Sequence, residues 1–164
     1  MASPSPMTIM LAMALTGAPA SAAHAMGQPP PAAAAKAVAT GAVPAQVCVT
    51  PSATDLRALQ EDRQRAVIVL NAFEPPQPRT GRLIASLLAG SPQTPREITR
   101  FAVHPLQAFT AAQPQRSQRF LVSLAGYAHQ LQAGRPVCLQ IGFDAGSHPA
   151  EGGRAEVSIE LSPV

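Results

Sequence analysis

Charge is what this chain has least of. Lys, Arg, Asp and Glu together make up 13% of it, about half of the roughly 25% usual in soluble proteins. The excess is only +3, and the arginines at 57, 63, 65, 79, 82, 96 and 100 are dispersed. A surface that reads phosphates needs cations clustered on one face, so nucleic acid is excluded as a partner. Tryptophan is absent and tyrosine occurs once, as Tyr127. An antibody-type domain, which buries a tryptophan against its disulfide, is excluded with it.

Chemistry-bearing clusters are also missing. The four histidines, His24, His104, His129 and His148, have neither ligand spacing nor a carboxylate cluster beside them, so no metal site is expected. All five methionines (1, 7, 10, 13 and 26) lie in the first 26 residues, which excludes a thioether copper carrier. Ser123, Ser147 and Ser158 lack a Gly-x-Ser-x-Gly setting. No glycine-rich phosphate loop occurs. Of the nine carboxylates, none forms an acid–base pair; Glu156 and Glu160 alternate with an apolar row and read as a solvated face. The expectation is a protein that is not an enzyme and takes no cofactor.

The first 25 residues contain no Lys, Arg, Asp or Glu. Met7–Leu15 is an apolar run, followed by small residues ending in Ala23-His24-Ala25. That order predicts a secretory signal peptide over residues 1–25, without the customary basic residue ahead of its core. The run is too short to span a bilayer, which takes about 20 apolar residues. The expected destination is the periplasm or the outside of the cell. Residues 26–45 (MGQPPPAAAAKAVATGAVPA) are low-complexity Pro/Ala sequence with too little apolar bulk to order itself, and predict a disordered tether. The domain proper is expected over residues 46–164.

Within it, short β runs alternate with turn chemistry. Val47 to Thr50 reads as a strand, and Asp55 to Arg63 as one or two helical turns with Thr54 as a cap. Ala66 to Phe73 is a continuous β-branched run, the pattern of a strand covered on both faces. Gly81 to Ala89, Ile98 to His104 and Arg119 to Ser123 follow as strands, with a Gln/Ala-rich loop from Leu106 to Gln118 and a helical turn over Ala125 to Leu131. The last two strands are clearest. Odd positions are apolar from Val137 to Phe143 and again from Ala155 to Leu161, a period of two that turns one row to a core and the other to solvent. About seven strands at this spacing predict an all-β, two-sheet, immunoglobulin-like sandwich.

Cys138 is out of phase with Val137, Leu139 and Ile141, and Cys48 with Val47 and Val49. Both thiols therefore point away from the apolar rows, where they can meet. In an exported protein a lone pair predicts a disulfide, whose loop of about 90 residues is worth roughly 4 to 5 kcal/mol on chain-entropy grounds. A reactive thiol is the alternative. Phe109, the aromatic of the Leu106 to Gln118 loop, either anchors that loop to the core or projects from it. If it projects, it is the first candidate for a partner-contacting ring, and Tyr127 is the second.

Residues Ala66 to Leu161 resemble the C-terminal β-sandwich that follows the copper domain in tyrosinases and polyphenol oxidases. The resemblance is carried by AVIVLNAFEPPQPRTGRLIASLLAG, TRFAVHPLQAF, FLVSLAGYAHQL, PVCLQIGFDAG and GRAEVSIELS. These are fold-forming motifs, and the six histidines of a type-3 copper pair are not among them. What the resemblance implies is a cover without its enzyme: an exported, non-catalytic sandwich that covers a partner type-3 copper oxidase or assists its maturation. The alternative is a generic cell-surface or periplasmic protein-binding or structural sandwich, and a small-ligand carrier is a third reading.

Overall fold

Alternating side chains fix which face of each strand is buried, but not which strand lies beside it, and the partners are where the structure adds most. The computed structural model describes residues 35–77, 81–89, 93–144, 146 and 150–164, all within one compact unit, Ala32–Val164. The predicted signal peptide lies outside the described residues, as do His148, Ser147 and Arg79. Among the described residues eight strands are formed: β1 (Ala37–Thr40), β2 (Ala45–Val49), β3 (Gln64–Glu74), β4 (Arg82–Ala89), β5 (Thr94–Ala102), β6 (Gln118–Val122), β7 (Val137–Phe143) and β8 (Arg154–Pro163). One sheet has the order β1-β8-β3-β6 and the other β2-β7-β4-β5.

The all-β two-sheet architecture is as the sequence predicts. Its connectivity is not immunoglobulin-like. In that fold sequence neighbours such as A–B and F–G share a sheet. Here, among the described residues, β4 and β5 are the only consecutive strands that do so. The antiparallel pairs β1–β8, β2–β7, β3–β6 and β4–β5 are successive rungs of one long hairpin. Added pairings of β3 with β8 and β4 with β7 roll that hairpin into two layers. This is the jelly-roll arrangement of eight antiparallel strands.

The second correction concerns the tether. Its last residues are structured: β1 pairs with β8 from Ala37↔Val157 to Thr40↔Arg154, and Lys36 meets Glu156 at 3.0 Å. Alanine gives almost no hydrophobic signal, yet Ala39 is fully buried, because the ladder of β8 supplies the order that its own side chain does not.

Inward rows from both sheets make the core: Ile68, Leu70, Val157 and Ile159 face Leu83, Leu87, Leu139 and Ile141. Each such side chain contributes about 1.5 to 3 kcal/mol when fully buried. The outward row of β3 is buried as well, with Val67 1% exposed. Arg119 of β6 and Glu160 of β8 pair across this face. Arg119 stands opposite Val69 and Glu160 opposite Val67, so the ion pair crosses β3 between the two valines. The continuous run is covered on both faces, one by the core and the other by that bridge.

The helix α1 spans Ala53–Gln60, and its cap is Ser52 rather than Thr54. Ser52 and Asp55 form a capping box. At the other end Asp62 takes a left-handed φ of 54°, and Arg63 N–H donates to Ala58 O while Asp62 N–H donates to Leu59 O. That is a Schellman ending with aspartate in the usual glycine place. Ser123 Oγ (2.6 Å) and Arg65 Nη2 (2.9 Å) both donate to the Asp62 carboxylate. Ser123 thus serves a helix end.

Candidate surface for recognition

Cys48 and Cys138 are joined by a disulfide. They are direct cross-strand partners of β2 and β7, with Cα atoms 4.0 Å apart. Their neighbours Val47, Val137 and Leu139 belong to the core, so the bridge lies on the outer face of the second sheet, as the phase of the sequence requires.

That outer face is built in rungs. One rung joins Cys48, Cys138 and Leu88, the next Gln46, Gln140 and Ser86, and a third Gly142 and Ile84. No charged side chain stands within these three rungs of β2, β7 and β4. Charge begins at β5, where Arg100 donates to Glu97 twice, Nε to Oε1 at 2.8 Å and Nη2 to Oε2 at 3.1 Å, and Nη1 donates to Asp144 at 3.1 Å. The Arg100 hydrogen bonds hold the Glu97 carboxyl below its ordinary range.

A tight turn borders this face. Residues 41–44 carry the chain from β1 in one sheet to β2 in the other. Thr40 N–H donates to Val43 O (2.8 Å), and Val43 N–H donates to Thr40 Oγ1 (3.1 Å). Pro44 leans over Gly142, where an added Cβ would meet the proline Cβ at 3.3 Å. Between turn and sheet runs an open groove of about 260 Å³, lined by Val43, Pro44, Ile84, Ser86, Gln140 and Phe143 among others. Val43 is 61% exposed at its rim. On the other side of the same turn lies a recess of about 440 Å³ bounded by Glu74, Glu151 and Arg154.

Phe109 needs correction as a partner-contacting residue. It is 3% exposed, and its N–H and C=O both bond to the backbone of Phe73 at 2.9 Å. The two rings are 6.3 Å apart, and the Arg116 guanidinium lies 5.6 Å from the Phe109 centroid. The ring staples its loop to the core and has no free face to offer. Tyr127 is half-buried on the 3-10 turn Ala125–Gln130, packed on the core with Arg96 5.1 Å above its ring.

The ring partners of Phe109 are Phe73 and Arg116 and that of Tyr127 is Arg96, so these two candidates do not form one site. His104 and His129 are exposed, and among the described residues no three of His, Cys, Asp or Glu are grouped to hold a metal ion. Among the same residues no helix is long and apolar enough to cross a membrane. Sequence reasoning passed over Val43, Ile84 and Gly142. Two signals were present: Ile84 is an apolar residue out of phase with Leu83 and Leu87, and a glycine inside a strand marks a close approach.

No family model, curated protein or solved structure matches the chain. The resemblance to the tyrosinase cover domain therefore rests on its sequence motifs alone.

Proposed function

We propose that this is an exported, non-catalytic recognition module that binds another protein through the outer face of its second sheet. The groove between the 41–44 turn and Ile84 receives one apolar side chain of the partner. The observation that carries this reading is the uncharged, three-rung face with a groove at its border and an ion cluster at its far side. Protein interfaces have that anatomy: a centre depleted in charge and a polar rim. The volume fits a side chain or two, below the 300 to 1,000 Å³ or so of a small-molecule pocket. The disulfide fits an oxidising compartment. The inserted phenylalanine of the cover reading is not available, since Phe109 is buried.

The test places a photo-crosslinking amino acid at Val43 in the producing cell, with Leu121, 58% exposed on the other sheet's outer face, as control. A discrete adduct is expected from Val43, lost on Ile84→Glu and not formed from Leu121. Equal labelling from both positions, or an adduct indifferent to Ile84→Glu, overturns the reading. A purified type-3 copper oxidase, the partner class implied by the sequence resemblance, serves as defined bait. Its capture at Val43 narrows the module to the cover role.

A further inference from the structure

Both edge strands on one flank of the sandwich come from a single short stretch. β1 is an edge of the first sheet and β2 an edge of the second, and only the 41–44 turn separates them. Their inward side chains are small: Ala39, Ala45 and Val47 are buried, and Ala37 and Val49 partly so. The strands they cover carry Val157 and Ile159 in β8, and Leu139 and Ile141 in β7. Ordering a chain costs entropy at every residue, and the burial that offsets it grows with apolar area. None of the three side chains that β1 and β2 bury is larger than valine.

Beyond its ladders to β8 and β7, the stretch is tied through Lys36 and Gly41. Lys36 pairs with Glu156 while 54% exposed, an ion pair of a kind that stabilises little. Gly41 N–H donates to Gly153 O at 3.0 Å. Beyond Cys48 the situation changes. Cys48 is covalently bound to Cys138, and Pro51 O accepts from Gly134 N–H at 3.0 Å. Leu59 of α1 is fully buried after that.

We propose that residues 37–47 form a flap that opens from the sandwich while the rest stays folded, and that the Cys48–Cys138 disulfide is where the opening stops. Opening bares the edge of β8 and removes the turn that walls the groove. The consequence for partner binding rests on the function proposed above; the flap itself does not.

Hydrogen exchange on the full chain tests it without any ligand. In the oxidised protein, amides of residues 37–47 are expected to exchange about a hundredfold faster than interior amides of β3 and β4, as a sub-global opening does. Val49, the cross-strand partner of Val137 next to the disulfide, should exchange with the slow set. Reduction by a dithiol, which supplies two electrons and two protons to the Cys48–Cys138 bond and is itself oxidised to a disulfide, should move that boundary past Val49. Exchange of 37–47 at the β3 and β4 rate overturns the flap. If Val49 exchanges with the flap while the disulfide is intact, the proposed stop is overturned. Should reduction unfold the whole domain, the oxidised measurement still decides both points. Failure here leaves the crosslinking result at Val43 untouched, so the two ideas fall separately.

Discussion

Gly41 and Ala150 approach so closely that a Cβ on Gly41 would lie 1.6 Å from the Ala150 carbonyl oxygen. The obstacle is backbone, which cannot rotate away as a side-chain tip can. Gly41→Ala is therefore expected to destabilise the domain by about 1 to 3 kcal/mol, the usual cost of overpacking, read as a lower urea midpoint. Gly126 has nothing within 4 Å of its Cβ position, and Gly126→Ala should leave the midpoint nearly unchanged. Equal losses from both would show that the contact at Gly41 is not what matters.

Acid should loosen the start of α1. The Ser52 hydroxyl, and after it the Ser52 backbone N–H, hold the Asp55 carboxyl below its ordinary value of 3.8; burial opposes them and the Gln64 amide adds to them. A depressed folded-state pKa gives stability that is present above the unfolded value and lost as pH falls through the folded one. The acid limb of a stability–pH curve should thus fall below about pH 4, where the unfolded carboxylate takes up its proton, and be shallower in Asp55→Asn. Ser52→Ala, which removes the cap, should cost about 1 kcal/mol at neutral pH. An unchanged acid limb in Asp55→Asn would remove the capping box as its source.

Phe109→Ala is expected to cost about 3 to 5 kcal/mol, as loss of a buried phenylalanine does, and to free the Leu106 to Gln118 loop from β3. The check is urea unfolding beside Tyr127→Ala, where a half-buried ring is lost and the cost should be smaller. A neutral Phe109→Ala would mean that the ring is not the staple.

Legibility followed the side-chain signal. β7 and β8 were plain because alternation over seven or more residues has one reading, and the burial of Val67 and Val69 on the outer side of β3 answers to the unbroken run in which they lie. The disulfide was legible from the phase of Cys48 and Cys138 joined to the expectation of an oxidising compartment. β1 was not, because Ala37 and Ala39 are ordered by the β8 ladder rather than by their own bulk. Neither was the jelly roll: periodicity names the buried face of a strand and is silent on its neighbour. Phe109 carries the same lesson, since whether a loop ring turns inward depends on what stands opposite, and Phe73 is 36 positions away in the chain.

The rolled hairpin has a kinetic consequence. Closing a loop costs more entropy the longer it is, and folds dominated by distant pairings form slowly. Of the rungs, only β4–β5 joins near neighbours in sequence; each further rung joins segments progressively farther apart, until β1 meets β8 across almost the whole domain. Assembly by this route runs outward from the central hairpin, with the alanine-rich first strand docking last. A nascent chain would hold β7 and β8 unedged until then, which makes that flank the place where two incompletely folded copies would find each other.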